Sequence, residues 1–310
     1  MLLSLVDRLA PIFLLIAVGY LLVRRGILTP GGLDGLTKLA FWVLIPGTMF
    51  LTVSSIHVGE VLNLEVWGVY FGSIAVTALV IYAALMLRPE TGRAERIVLA
   101  FGAVYSNLAI VGIPVIGILF GDRGLVVLTA LITIHAAALI TPAVMLMEGT
   151  KRADGPRRSL LGALGNQLAN PILLSIVVGL VVSGTGLPVP GWLQAFTGML
   201  KAAMPAIALI IIGAGLHGQE IRGNVATSAV GVAGKMVLLP LVVFGVGSAL
   251  GMTREVLAPL VVAAGLPPGI NAVMMAAAYR TAIDRTSTMM LASTILSLVT
   301  IPLLALFLTA

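Results

Sequence analysis

The sequence predicts an all-α polytopic membrane protein of ten transmembrane helices, arranged as two inverted five-helix repeats. Three observations lead there. Of 310 residues, 59% are hydrophobic and 10% charged, whereas soluble domains carry about 25% charged residues. Apolar runs of spanning length recur along the whole chain. The second half also repeats landmarks of the first.

A spanning helix needs about 20 mostly apolar residues. In lipid the backbone must satisfy its own hydrogen bonds, so such runs are helical. Counted this way, the spans fall near 6–23, 36–54, 66–87, 97–120, 124–147, 160–183, 192–216, 225–249, 255–278 and 286–308. The connections are too short for a soluble domain. The longest polar one, Glu148–Arg158, separates a first repeat (1–147) from a second (160–310), with a linker at 148–159.

Charge sets the orientation. Thirteen Lys and Arg residues fall in the connections between spans 1–2, 3–4, 5–6, 7–8 and 9–10. Arg8, Arg123 and Arg254 lie on the other face. The positive side is cytoplasmic, which places both termini outside the cell membrane. The formal charge of +6 does not point to nucleic acid, because the basic residues punctuate apolar segments and do not gather in a patch. The N-terminus has no basic region and cleavage site of the kind that marks a removable signal. With no cysteine in the chain, disulfides and thiolate metal sites are excluded, and no cofactor is expected.

The repeat is read from four landmarks in the same order. Pro11–Leu22 (PIFLLIAVGYLL) matches Pro171–Val182 (PILLSIVVGLVV) at six of twelve positions. Pro46 answers Pro205, Pro142 answers Pro302, and Gly112-Ile113-Pro114 answers Gly265-Leu266-Pro267. An odd number of spans per repeat inverts the second half, an architecture found in secondary transporters.

Spans 4 and 9 should be broken. Tyr105–Gly121 (YSNLAIVGIPVIGILFG) carries Ser106 and Asn107 and then Gly112, Ile113 and Pro114. Ala264–Asn271 (AGLPPGIN) carries Pro267, Pro268, Gly269 and Asn271. Proline removes a backbone donor and clashes with the preceding turn, and glycine permits close approach or positive φ. Pro46, Pro142, Pro205, Pro240 and Pro302 read as simple kinks. A break frees a helix N-terminus, which carries about half a positive charge and unpaired N–H groups. Two such ends converging at mid-membrane make a site for an anion, most simply a carboxylate, completed by Ser106, Asn107 and Asn271.

The ionisable residues fit this picture. Acidic residues stay at span ends and in connections, so no carboxylate proton relay or sodium site is evident. His135 falls near the centre of span 5. It reads either as a hydrogen-bonded packing residue or as a coupling or substrate-contacting group. Lys201 and Lys235 lie inside spans. Snorkelling accounts for both, less easily for Lys201, whose other reading is an anion contact. His57 and His217 lie at span ends.

SNLAIVGIPVIGILFG resembles the fourth-helix signature of the auxin efflux carrier family, approximately N-x-G-[FYI]-[IVL]-G-[LI]-P. Leu266–Pro302, with PPGINAVMMAAAY, Asp284 and STILSLVTIP, resembles its ninth and tenth helices. APIFLLIAVGYLLVRRGIL and NPILLSIVVGL are similar too. The likeness covers essentially the whole chain. It departs at Leu108-Ala109, where the family more often has a small residue followed by glycine. The long cytoplasmic loop of many plant members is absent, as in the compact prokaryotic branch. The resemblance implies the fold of bile-acid/sodium symporters, with helices 4 and 9 crossing at their breaks. It implies a scaffold of helices 1, 2, 6 and 7, a moving bundle of helices 3–5 and 8–10 in an elevator mechanism, and a homodimer. It implies organic-anion substrates, of indole-acetate or malonate and malate type. The crossover residues would be Asn107, Gly112, Ile113, Pro114, Pro267, Pro268 and Asn271.

A secondary carrier for a small organic anion is therefore expected. A sodium-coupled symporter or cation/proton antiporter of the same fold is the alternative. A membrane receptor or an intramembrane enzyme fits less well: no soluble output domain, H-E-x-x-H motif or paired catalytic aspartates occur.

Overall fold

The structure is a computed structural model describing residues 2–150, 169–219, 221, 223 and 225–309. Most of the 148–159 linker, and with it Lys151, Arg152, Arg157 and Arg158, lies outside the described residues, as does Arg222. Among the described residues every regular element is helical. In order they are α1 (Leu2–Arg24), α2 (Pro30–Leu39), the π-turn π1 (Ala40–Leu44), α3 (Ile45–Ser54), α4 (Val58–Val61) and α5 (Leu64–Met86). Then come α6 (Arg93–Val104), π2 (Leu108–Gly112), α7 (Ile113–Glu148), α8 (Pro171–Thr185) and α9 (Gly191–Leu216). The chain continues through α10 (Val225–Ala233), π3 (Gly234–Leu238), α11 (Leu239–Ala249), α12 (Arg254–Ala264), α13 (Asn271–Ala278) and α14 (Ile283–Thr309).

Six helical stretches among the described residues are long and apolar enough to cross a membrane: Pro30–Ser54, Val58–Met86, Leu108–Glu148, Gly191–Leu216, Val225–Ala249 and Ile283–Leu308. Ala10–Arg24 and Pro171–Thr185 are apolar but shorter. Part of the difference from ten has local causes. The regions of spans 4 and 9 are each interrupted by non-helical backbone, and the start of the sixth expected span lies outside the described residues. The stretch of 41 residues at Leu108–Glu148 would be about 60 Å long if straight, roughly twice the hydrocarbon thickness. It is not straight: Gly121 breaks it with φ 62° and ψ −153°, a conformation that glycine tolerates because it has no Cβ.

The three π-turns share a sequence cause. Each is followed, two residues on, by a proline: Pro46, Pro114 and Pro240. A proline ring clashes with the carbonyl four residues back and offers no N–H. A wider turn next to the ring keeps the chain helical. Pro142, Pro205 and Pro302 lie within helical segments and have no π-turn immediately before them.

Helix pairs come together through glycines. A Cβ on Gly19 of α1 would lie 2.1 Å from the Ile210 carbonyl oxygen of α9, and one on Gly213 of α9 would lie 1.9 Å from the Ile16 carbonyl oxygen. The two backbones touch, the close approach that small residues permit between membrane helices. In α8, a Cβ on Gly179 would meet the Val53 side chain of α3 at 2.8 Å.

Large apolar side chains such as Leu14, Leu79, Trp192, Met199 and Phe307 point outward, while Thr48, Ser73, Thr129 and Ser228 are buried. This pattern suits a hydrocarbon solvent. These four hydroxyls donate to backbone carbonyls, as Thr48 does to Leu44 at 2.8 Å and Ser73 to Val69 at 2.6 Å, and so bring no unsatisfied donor into the interior. The hydroxyls of Thr52, Thr77, Thr286, Ser293 and Thr300 are buried without a partner among the described residues. In the connection after α5, the Glu90 carboxyl is held below the usual carboxylate range, first by its own backbone amide and then by the Thr227 hydroxyl 2.9 Å away.

Candidate functional site at the crossing of two broken helices

The two interruptions meet. The Asn107 amide donates to the Pro267 carbonyl at 2.9 Å, and the Gly269 amide donates to the Tyr105 carbonyl at 3.0 Å. Ser106 and Pro268 thereby form one antiparallel bridge. Each unwound segment supplies partners for backbone groups that its own helix has released, which non-helical backbone inside a membrane protein requires. Side chains add two more ties. Asn107 Oδ1 accepts from the Ile110 amide at 3.2 Å and caps the helix that begins there. Asn271 Nδ2 donates to the Tyr105 hydroxyl at 2.6 Å.

Behind the bridge lies a buried polar cluster. The Ser106 hydroxyl oxygen accepts from the Tyr70 hydroxyl of α5 at 3.1 Å and from Lys235 Nζ of π3. Lys235 Nζ also donates to the Ala264 carbonyl, at the last residue of α12, at 2.8 Å. Tyr70 and Lys235 are both fully buried.

In front of the bridge is a cavity of about 200 Å³. Its wall includes Asn107 to Ile110, which start the helix after the first break, and Gly269 to Asn271, which start α13 after the second. Thr133, His135 and Asn170 supply further polar groups. His135 is 4% exposed. Its ring packs on Tyr105 with centroids 4.7 Å apart and lies 6.1 Å from the Tyr70 ring. It comes near the Ser106 backbone, yet neither ring nitrogen finds a partner at hydrogen-bonding geometry. Two helix starts and the His135 side chain thus border one small space. Chemically, the lining is polar, carries the positive end of two helix dipoles and includes no carboxylate.

The sequence profile of the family described as "Membrane transport protein" matches residues 4–305. The chain belongs to that family. This is the auxin efflux carrier family that the motifs resemble. The transporter is 26% identical over 311 residues to "Uncharacterized transporter YfdV" of Escherichia coli K12, covering 96% of each chain. It is 26% identical over 296 residues to "Putative malonate transporter" of Rhizobium meliloti, covering 94% of this chain and 92% of the other. A relative named "Uncharacterized transporter" from Methanothermobacter thermautotrophicus is 23% identical over 295 residues. The family and these relatives are named as transporters and not as enzymes, and with its apolar helices the chain is a multi-pass membrane protein.

The transporter brings together most of the residues singled out from sequence. Ser106, Asn107, Gly269 and Asn271 line the cavity, and Pro267 and Pro268 form the second strand of the bridge. Gly112, Ile113 and Pro114 do not. They lie past the break, in π2 and the first turn of α7, and the cavity wall stops at Ile110. The first break therefore sits at Tyr105–Asn107 and not at the Gly-x-Pro. π2 absorbs the proline, while the bridge and the Asn107 cap satisfy the chain where it unwinds.

Lys201 does not share the cavity. It pairs with Asp122 in a separate cleft of about 780 Å³ that also holds Glu60, Arg123 and Glu255. Its anion-contact reading at the crossover is not supported by this placement. Lys235 does not snorkel: it is 0% exposed, with its ammonium turned inward. Sequence reasoning missed both this inward turn and Tyr70. The available signal was a cation near the middle of an apolar span with no acidic residue three or four positions away.

Proposed function

We propose that the transporter is a secondary carrier for a small organic anion, and that it binds the anion's carboxylate in the crossover cavity. One observation carries this: the segments that begin the helices after both breaks line one small cavity together with His135. Helix N-termini favour anions through their unpaired N–H groups and dipole. His135 is then a substrate contact, with the Asn107 and Asn271 amides alongside it. A cavity of about 200 Å³ is smaller than the ~300–1,000 Å³ pockets of drug-sized ligands. It suits a compact mono- or dicarboxylate better than an indole acid. The relative named for malonate points the same way.

The architecture we propose around this site is ten spans in two inverted repeats, 1–147 and 160–310, both ends outside the cytoplasmic membrane. Two features support it. Gly121 turns a helix too long for one crossing. The equivalent glycines Gly19 and Gly179 pack reciprocally, the first-repeat α1 on α9 and the second-repeat α8 on α3. An elevator movement of spans 3–5 and 8–10 against a dimeric scaffold of spans 1, 2, 6 and 7 completes the proposal.

The test is saturable malonate uptake or efflux in proteoliposomes. Asn107→Ala and Asn271→Ala should each raise the half-saturating concentration or abolish transport. Unchanged saturable transport in both variants would place the site elsewhere.

A further inference from the structure

We propose that Lys235 is a tethered cation that supplies, at the crossover, the positive counter-charge of the bound carboxylate, so that anion binding needs no soluble cation. This rests on the carboxylate reading of the neighbouring cavity and adds a group that does not line it.

Lys235 stands near the middle of the Val225–Ala249 stretch, in π3, with no exposure. Its Nζ contacts have a recognisable polarity. One is the carbonyl of Ala264, the C-terminal residue of α12. A helix C-terminus carries about half a negative charge. The other is the Ser106 hydroxyl, in the unwound segment itself. In carriers built on broken helices, C-terminal ends and unwound polar groups hold the coupling cation, while N-terminal ends face the anionic substrate. Here the N-terminal ends face the cavity, and the chain's own ammonium sits on a C-terminal end.

Charge balance points the same way. Among the described residues no carboxylate forms an ion pair with Lys235, and the titratable groups around it are Tyr70, Tyr105 and His135. A cation without a counter-ion is expensive at membrane depth. An anion in the cavity lies just across Ser106, a residue of the cavity wall whose hydroxyl holds the ammonium. Lys235 acts through Ser106 and is a positioning residue, not a direct ligand.

Malonate binding to purified full-length protein tests this by thermal shift and calorimetry, in sodium, potassium or choline chloride at equal ionic strength. The wild type should bind malonate within about twofold in all three salts. Lys235→Met, of similar volume, should weaken binding roughly tenfold or more in every salt, the scale of one fixed charge at short range. Lys235→Arg should retain more affinity than Lys235→Met, which a purely packing role would not predict. Wild-type binding that depends on sodium by tenfold would overturn the inference and indicate a mobile coupling cation. So would Lys235→Met binding as tightly as the wild type. If Lys235→Met does not fold, Lys235→Gln takes its place: it should bind at least about tenfold more weakly than the wild type and more weakly than Lys235→Arg, and equal affinity of Lys235→Gln and the wild type would overturn the inference. An absence of wild-type binding to malonate or any other small carboxylate in every salt removes the anion reading itself, and the inference with it.

Discussion

Asn271 and Tyr105 join the two broken helices side chain to side chain: Asn271 Nδ2 donates to the Tyr105 hydroxyl at 2.6 Å. Asn271 opens α13, and Tyr105 ends α6. The bond fixes the second helix start against the first break, beside His135. Tyr105→Phe removes this bond and leaves the ring stack. It should cost about 1 kcal/mol of stability and raise the half-saturating malonate concentration severalfold, with the protein still folded. Thermal melts and transport titration on the same preparation would show both effects.

His135 separates a packing role from a binding role. His135→Phe preserves an aromatic ring against Tyr105 but has no nitrogen. If the unpaired nitrogens serve the substrate, this variant should melt near the wild type and bind malonate at least about tenfold more weakly, the scale of one hydrogen bond to a charged group. Equal affinity would reduce His135 to packing.

Lys201 and Asp122 pair in the second cleft, with Asp122 largely exposed. Exposed pairs contribute about 0–1 kcal/mol. Asp122→Asn should therefore leave the melting temperature within a few degrees and malonate affinity within about twofold. A large loss of affinity would tie that cleft to the crossover cavity.

Gly213 and Gly215 make a matched pair on α9. A Cβ at Gly213 would lie 1.9 Å from the Ile16 carbonyl oxygen, and one at Gly215 would meet nothing within 4 Å. Gly213→Ala should lower the melting temperature and folded yield sharply by forcing α1 and α9 apart. Gly215→Ala should be neutral or slightly stabilising, because alanine favours the helix by about 0.5–1 kcal/mol.

The legible features were those with local causes. Asn107 and Asn271 could be found because a polar amide beside helix-breaking residues in an apolar run has few other uses. Pro267-Pro268 marked the second break because two successive residues without N–H cannot continue a helix. Gly112-Ile113-Pro114 misled because one proline can be accommodated by a π-turn, and only the partner strand shows where the chain unwinds. Lys235 and Tyr70 were not legible because their partners, Ser106 and Ala264, lie far away in sequence. A lysine in an apolar span looks the same whether its ammonium escapes to the surface or turns inward.

The most direct test of the central claim is malonate binding to Asn271→Asp, which is nearly isosteric with the wild type and places a carboxylate at the start of α13. If the crossover cavity receives an anion, the wild type binds malonate saturably and Asn271→Asp binds it at least about tenfold more weakly, because like charges at short range repel. Equal affinity in the two proteins would contradict a carboxylate site at the crossing.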